Sequence, residues 1–366
     1  MIDHWYKWPR PGPSSSTFFS LKKPLKEKVV KVQTFHRHIH FAGALCAFCC
    51  FTVSFATAEV METTYKSRRS LILKNETCAL VIDLAGGSLR DFHLGDSGIN
   101  PLNWGWSSAE GSPLDEKQRA MGHFLCLDRW GPPSESEAKN GMPYHGEAAN
   151  VVWKVEENFG RSSAGFNAIM HAELPLAGLS VQRSVSLAPN VSYALVSETV
   201  TNQNPLGRIY NMVQHPSIGP PFLTPDTIVD CNGQLGFAQG GSMPMPESPS
   251  FQWPTALNGN SPPVDMRRLV DNDEPNVVSY VVDEEYGWVT ALNQENGLII
   301  GYIWKTEHYP WIDLWRRVEE GKPVARGLEF GTTGLHQPFS ILTEKLEIFN
   351  RPLFEHLDMP NKNVFD

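Results

Sequence analysis

The stretch LSVQRSVSL, Leu179–Leu187, sets Leu179, Val181, Val185 and Leu187 against Ser180, Gln182, Ser184 and Ser186. A period of two is the signature of a strand with one face on a core and the other toward water. Ala188-Pro189-Asn190 then supplies a turn, and VSYALVSETVTN (Val191–Asn202) reads as the returning strand. The same pattern recurs along the chain. YGWVTALN (Tyr286–Asn293) and GLIIGYIWK (Gly297–Lys305) form a second hairpin over Gln294-Glu295-Asn296, and CALVIDL (Cys78–Leu84) passes through Ala85-Gly86-Gly87 into SLRDFHL (Ser88–Leu94). Sustained helical periodicity is absent: the best candidate, ILTEKLEIFNRPLFEHL near the C-terminus, is broken by Pro352. The 28 prolines and 29 glycines suit many short strands, and 41% hydrophobic residues supply a large core. The run Gly240–Asp265, with six prolines, reads as a long surface loop because strand patterns continue on both sides. The expectation is an all-β chain whose residues 59–366 make one large antiparallel domain.

Residues 1–58 read differently. They carry eight Lys or Arg and only Asp3 and Glu27 as acids, and end in an uncharged stretch, FAGALCAFCCFTVSFATA (Phe41–Ala58). Basic flank, apolar run and the small residues Ala56-Thr57-Ala58 make a secretory signal pattern. The competing reading is an uncleaved anchor, since residues 41–58 are just long enough to span a bilayer. Export to a periplasm or to the medium follows from the first, membrane attachment through the leader alone from the second. Without the leader, Lys plus Arg falls to 23 (31 − 8) and Asp plus Glu to 38 (40 − 2), near −15, which argues against a nucleic-acid partner. Cys78, Cys126 and Cys231 then remain, too few for a disulfide scaffold, and each reads as a buried thiol.

Four segments join strand ends to reactive side chains. GHFLCLDRWGPP (Gly122–Pro133) holds His123, Arg129 and Trp130; YHGEAANVVWKV begins with His145 after Tyr144; NMVQHPSIGPPFL (Asn211–Leu223) holds His215; ARGLEFGTTGL (Ala325–Leu335) holds Glu329. Beyond residue 58 there is no His-x-His or Glu-x-x-His pair, so no metal is expected, and no Gly-x-Ser-x-Gly elbow occurs. A glycosidase would need a second carboxylate across a cleft from Glu329; Asp283-Glu284-Glu285 reads as a solvated turn. Structural readings stand beside the functional ones: His215, before a proline, as a turn residue; Arg129 as a group packed on Trp130; Glu329 as a carboxylate satisfied by Arg326 or Arg129.

The order of these segments resembles the galactose mutarotase-like family, the aldose 1-epimerases and their relatives, from about Leu71 to the mid-330s. VIDLAGGSLRDFHL is similar to the family's first hairpin, YHGEAANVVWKV to its His-Gly segment, SETVTNQNPLGRIYNMVQHPSIGPPF to its Asn-rich turn and second histidine, and GLEFGTT to the site of its glutamate. The resemblance implies a β-supersandwich of two large twisted antiparallel sheets, and cofactor-free interconversion of the anomers of an aldose or short saccharide. A carboxylate takes the proton of the anomeric hydroxyl while an imidazole protonates the ring oxygen; the ring opens, the aldehyde turns, and closure reverses the roles. It implies Glu329 as base and His215 as acid, with His145 on a ring hydroxyl or the ring oxygen and Arg129 on hydroxyls. Trp130, Trp304, Trp311 and Trp315 are candidates for stacking on the sugar, and Asp313 competes with Asp265 for the substrate-binding aspartate. The context LCLDRWGPP departs from the family pattern. Binding of carbohydrate without turnover, or a glycosidase or lyase on the same saddle, are the alternative readings.

Overall fold

A computed structural model describes residues 59–95, 97–105, 120–156, 160–162, 165–259, 261–269, 273–358 and 362–365. The leader and its signal-or-anchor reading lie outside these residues. Among the described residues no helix is long and apolar enough to cross a membrane.

The described chain is dominated by antiparallel sheet, as the period-two stretches predict. The largest sheet has thirteen strands. Its centre runs Leu89–Leu94, His123–Asp128, Arg208–Ile218, then Lys322–Gly327 in line with Glu329–Gly331, then Trp311–Glu319 and Val277–Val281. A second sheet orders Lys362–Phe365, Leu195–Asn202, Leu179–Leu187, Gly165–Leu174 and Lys154–Val155; a third orders Ile228–Cys231, Tyr286–Asn293 and Leu298–Lys305. The expected hairpins are all present. Leu179–Leu187 pairs with a partner that starts at Leu195, four residues later than the pattern suggested, because Asn75 takes the carbonyls of Ala188 and Val191 and holds the turn away from the ladder. Tyr286–Asn293 pairs with Leu298–Lys305, and Cys78–Asp83 with Leu89–Leu94.

The main core lies on one face of the large sheet. Leu71, Leu80, Leu125, Leu127, Met212 and Phe330 from that sheet meet Ala168, Met170, Val181 and Val185 from the second. Arg183 stands on the core-facing side of its strand yet is buried: its Nε donates to Glu198 at 2.6 Å and its guanidinium lies over the Trp153 ring. A buried charge is tolerable only when paired in this way. Cys78, Cys126 and Cys231 are free, buried thiols.

Two local expectations need correction. The proline-rich run from Gly240 to Asp265 is not simply a surface loop, since it contains the strands Ser250–Gln252, Thr255–Ala256 and Val264–Asp265 and buries Phe251 and Ala256. The C-terminal helix is only Phe339–Lys345 and ends well before Pro352. It stops where Leu346 turns to φ +67°, its N–H donating to the Leu342 carbonyl at 2.7 Å; Phe349 and Asn350, also at positive φ, then turn the chain into the small hairpin Glu347–Ile348 and Arg351–Pro352.

Candidate functional site

Strand register builds the site. His215 on Arg208–Ile218 lies opposite Phe124; Glu329 lies opposite Asp313; Asp313 lies opposite Ser279. Gln214 pairs with Phe330, so the next step of that ladder sets His215 beside Glu329. Phe124, His215, Glu329, Asp313 and Ser279 therefore form one row across the sheet, all on the face away from the main core, because side chains alternate along a strand. Phe124, Cys126, Trp130, Ala149 and Val213 pack as a separate apolar floor on this face.

Glu329 is 1% exposed. One oxygen accepts the Trp130 indole N–H at 2.8 Å and the other lies 3.2 Å from His215 Nε2. Burial, then the neighbouring Asp313 charge, push this carboxyl well above the usual carboxylate range, against the opposing pull of the Trp130 N–H. His215 is 5% exposed, stacks on Phe124 with ring centres 4.2 Å apart, and sets Nδ1 3.1 Å from the Ser217 hydroxyl. Burial pulls its pKa down to about 3. Both shifts favour the uncharged forms, a protonated carboxyl and a neutral imidazole. Asp313 is fully buried; Ser279 donates to its Oδ1 at 2.6 Å, its Oδ2 has no partner, and desolvation raises its pKa well above the ordinary value.

His145 arrives from a loop. Both His145 (φ +65°) and Gly146 (φ +78°) adopt left-handed backbone, and a Cβ on Gly146 would stand 2.0 Å from the Leu127 carbonyl oxygen. This tight turn presses the loop onto the end of His123–Asp128. His145 N–H donates to the Gly131 carbonyl and Gly131 N–H donates back to His145 Nδ1, each at 3.0 Å. With Nδ1 accepting, a neutral His145 carries its proton on Nε2 and can donate to a ligand. Its ring lies 5.3 Å from that of His215, and burial followed by the neighbouring histidines holds its pKa well below the ordinary value.

The structure thus brings His145, His215 and Glu329 together. Trp130 belongs to the site as the donor that orients Glu329, and Trp315 is 6.1 Å from the His215 ring. Trp304, stacked on Phe330, and Trp311, among Phe237, Val281 and Leu335, are core residues. Arg129 is not gathered with the trio: Nε and Nη2 donate to Asp128 and Nη1 to Glu137 at 2.6 Å, the same Glu137 that closes a capping box on Ser134. Arg326, a possible structural partner of Glu329, instead donates to the Met266 carbonyl. Asp265 is at the surface, paired with Arg267, whereas Asp313 stands beside Glu329. His215 is no turn residue, since it lies well inside a strand of eleven residues.

Two site residues escaped the sequence reading. His336 contacts Trp130 edge-on at 4.6 Å and lies 5.6 Å from His145, and Tyr144 Oη sits 3.2 Å from His336 Nε2. Burial lowers the His336 pKa to about 4. The available signal was proximity in sequence: His336 directly follows GLEFGTTGL, and Tyr144 directly precedes His145. Among the described residues no group of three or more His, Cys, Asp or Glu side chains is arranged to hold a metal ion.

A thirteen-stranded antiparallel sheet packed on a second sheet, with a buried glutamate and histidines on its outer face, defines a β-supersandwich, and this is the galactose mutarotase-like fold. A galactose mutarotase-like protein from Clostridium acetobutylicum superposes with a TM-score of 0.61 at 12% identity, over 84% of this chain and 96% of that one. A galactose mutarotase related enzyme from Lactobacillus acidophilus gives 0.54 at 12% identity, over 81% and 95%. A proposed aldose 1-epimerase from Klebsiella pneumoniae gives 0.53 at 16% identity, over 83% and 79%. No family model matches the chain, and no curated protein matches it by sequence.

Proposed function

We propose that this protein interconverts the anomers of a neutral aldose or short saccharide, with Glu329 and His215 as the acid–base pair. The observation that carries the reading is the 3.2 Å approach of His215 Nε2 to Glu329, on residues 114 positions apart, with His145 alongside. Proton transfer in both directions needs two groups near the same pair of oxygens that together hold one mobile proton. Burial favours that proton on Glu329; its passage to His215 gives the carboxylate that takes the anomeric hydroxyl proton and the imidazolium that protonates the ring oxygen. After the ring opens and the aldehyde turns, the same two transfers run backwards. Hydroxyl binding falls to His145 and His336, and the sugar's apolar face to Phe124 and Trp315. The signal pattern of the leader supports a site of action outside the cytoplasm.

The test is polarimetric. Fresh α-glucose, α-galactose and related aldoses should relax faster with the protein than in buffer, and Glu329→Gln should abolish the acceleration while leaving the fold intact. No acceleration across the panel, or a fully active Glu329→Gln protein, overturns the proposal. Binding without turnover is the second reading, favoured by the 1% exposure of Glu329; calorimetric binding of a sugar that is not accelerated would establish it. A glycosidase is disfavoured because Asp313, the carboxyl beside Glu329, is fully buried and bonded to Ser279.

A further inference from the structure

The acid–base pair lies deep. Glu329 is 1% exposed and His215 5%, whereas His145, His336 and Trp315 around them are half-buried and Tyr144 is 53% exposed. Tyr144 joins two of these rings: it meets His145 edge-on with centres 4.4 Å apart, and its hydroxyl reaches His336 Nε2 at 3.2 Å. His336 in turn meets Trp130, the donor to Glu329, edge-on at 4.6 Å. Tyr144 and His336 therefore make a clasp on the solvent side of the pair.

Both halves of the clasp are fixed at the main chain. Gly146 N–H donates to the Pro143 carbonyl at 3.2 Å, and His145, third in that four-residue turn, has the left-handed backbone of a type II turn. His145 N–H is held by the Gly131 carbonyl, and Gly146 bridges to Leu127. On the other side, His336 N–H donates to Gln239 Oε1 at 3.0 Å, while Gln239 Nε2 donates to the Gly334 carbonyl at 2.8 Å and to the Ser279 hydroxyl at 2.7 Å. Ser279 is itself tied to Asp313. Swinging either loop would break several of these bonds. Turning the Tyr144 side chain breaks one exposed hydrogen bond, which water replaces at small cost.

The clasp has a consequence for the substrate. With the anomeric hydroxyl and ring oxygen of a pyranose at Glu329 and His215, the atoms opposite them, C3 and C4, point outward to the rim. We infer, building on the anomer reading above, that Tyr144 is a specificity-determining residue. The site takes a free monosaccharide, its C3 and C4 hydroxyls at Tyr144 Oη and His336, and the Tyr144 ring excludes sugars whose O4 carries a further residue.

The test measures kcat/KM by polarimetry for α-glucose and for α-maltose, a 4-linked disaccharide with the same reducing ring, using the full-length protein. Glucose should be preferred by about tenfold or more, the effect of a built-in clash. Tyr144→Ala should bring the two sugars within about threefold of each other, raising KM for glucose and lowering it for maltose. Tyr144→Phe should keep the preference and raise KM for glucose roughly fivefold, the worth of one hydrogen bond. A variant that merely disturbed the fold or the His145 turn would weaken both sugars together, so the opposite movement of the two KM values is the decisive reading. Maltose handled as well as glucose by the unaltered protein, or equal losses for both sugars in Tyr144→Ala, overturns the inference while leaving the anomer reading intact. If neither sugar relaxes faster than in buffer, the anomer reading fails by itself, and calorimetry with the same three proteins decides the clasp. Glucose bound more tightly than maltose, with the gap closed in Tyr144→Ala, supports it; equal binding of the two sugars, or binding of neither, overturns it.

Discussion

Two rows of side chains, one residue apart on the same strands, face opposite ways. One is Phe124, His215, Glu329, Asp313 and Ser279; the next is Leu125, Gln214, Phe330, Ile312 and Tyr280. The first row carries the carboxyl and imidazole of the candidate site, and the second is almost wholly core. Each face has a buried histidine at 5% exposure, His215 on one and His123 on the other, and burial brings both to a pKa of about 3. Burial acts on both in the same direction; their company differs. His215 meets a carboxyl, with which it can exchange a proton, and His123 meets an amide and the edge of the Tyr302 ring. Burial alone does not distinguish the two histidines; the group across the next strand does.

The sharpest way to break this comparison is to remove each ring in turn. His215→Asn should lower kcat for anomer interconversion by roughly 10²–10⁴-fold, the usual worth of a general acid or base, whereas His123→Phe should leave kcat within about twofold. Equal losses in polarimetry would mean that both rings matter only to the fold. Next in size is Gly146→Ala, which forces a Cβ against the Leu127 carbonyl in a left-handed turn. It should cost about 3 kcal/mol in urea-unfolding free energy and raise KM by misplacing His145; an unchanged unfolding midpoint would show that the turn relaxes freely.

Acid stability tests the likeness between the two histidines. Each has a folded pKa below its unfolded value near 6.5, so the unfolded chain takes up the proton first. Stability is undiminished above about pH 6.5 and falls as the pH drops toward the folded pKa, by about 1.4 kcal/mol per pH unit per histidine. Glu329 and Asp313, with raised folded values, act in the opposite sense: their contribution is full below the unfolded carboxyl pKa and is lost as the pH rises through the folded one. Comparing His123→Phe with the unaltered protein in urea at about pH 6, 5 and 4 cancels the other groups and isolates one histidine; the variant's decline should be shallower by that amount per unit. Parallel curves would show that His123 is protonated in the folded state. The smallest effect is that of Trp130→Phe, which removes one hydrogen bond to Glu329 worth about 1 kcal/mol. Activity should drop about fivefold, and because that N–H lowers the Glu329 pKa, the alkaline limb of the pH profile should move up. A limb that stays put would mean that another group sets it.

Much of the fold was legible because strand parity is a local property: the alternation from Leu179 to Leu187 needs no knowledge of its partner. The Asn75 clamp on the turn after it was not legible, since it joins residues more than a hundred positions apart. At the site, Glu329 stood out because a carboxylate flanked by Leu328 and Phe330 must be buried with a partner, yet the sequence reading offered Arg326 or Arg129 and the partners are Trp130 and His215. His336 was missed for the same reason: nothing local marks a histidine after a glycine turn as facing Trp130.

From its residues alone, then, this chain determined an all-β architecture, three buried thiols and the residue types available for acid–base chemistry. Pairing register decided which histidine meets the carboxyl, and the left-handed turn at His145-Gly146 decided that a third ring joins them. Composition and period are written in neighbouring residues, while the register between remote strands follows from how every core side chain packs at once, and that sum exists only in the folded molecule.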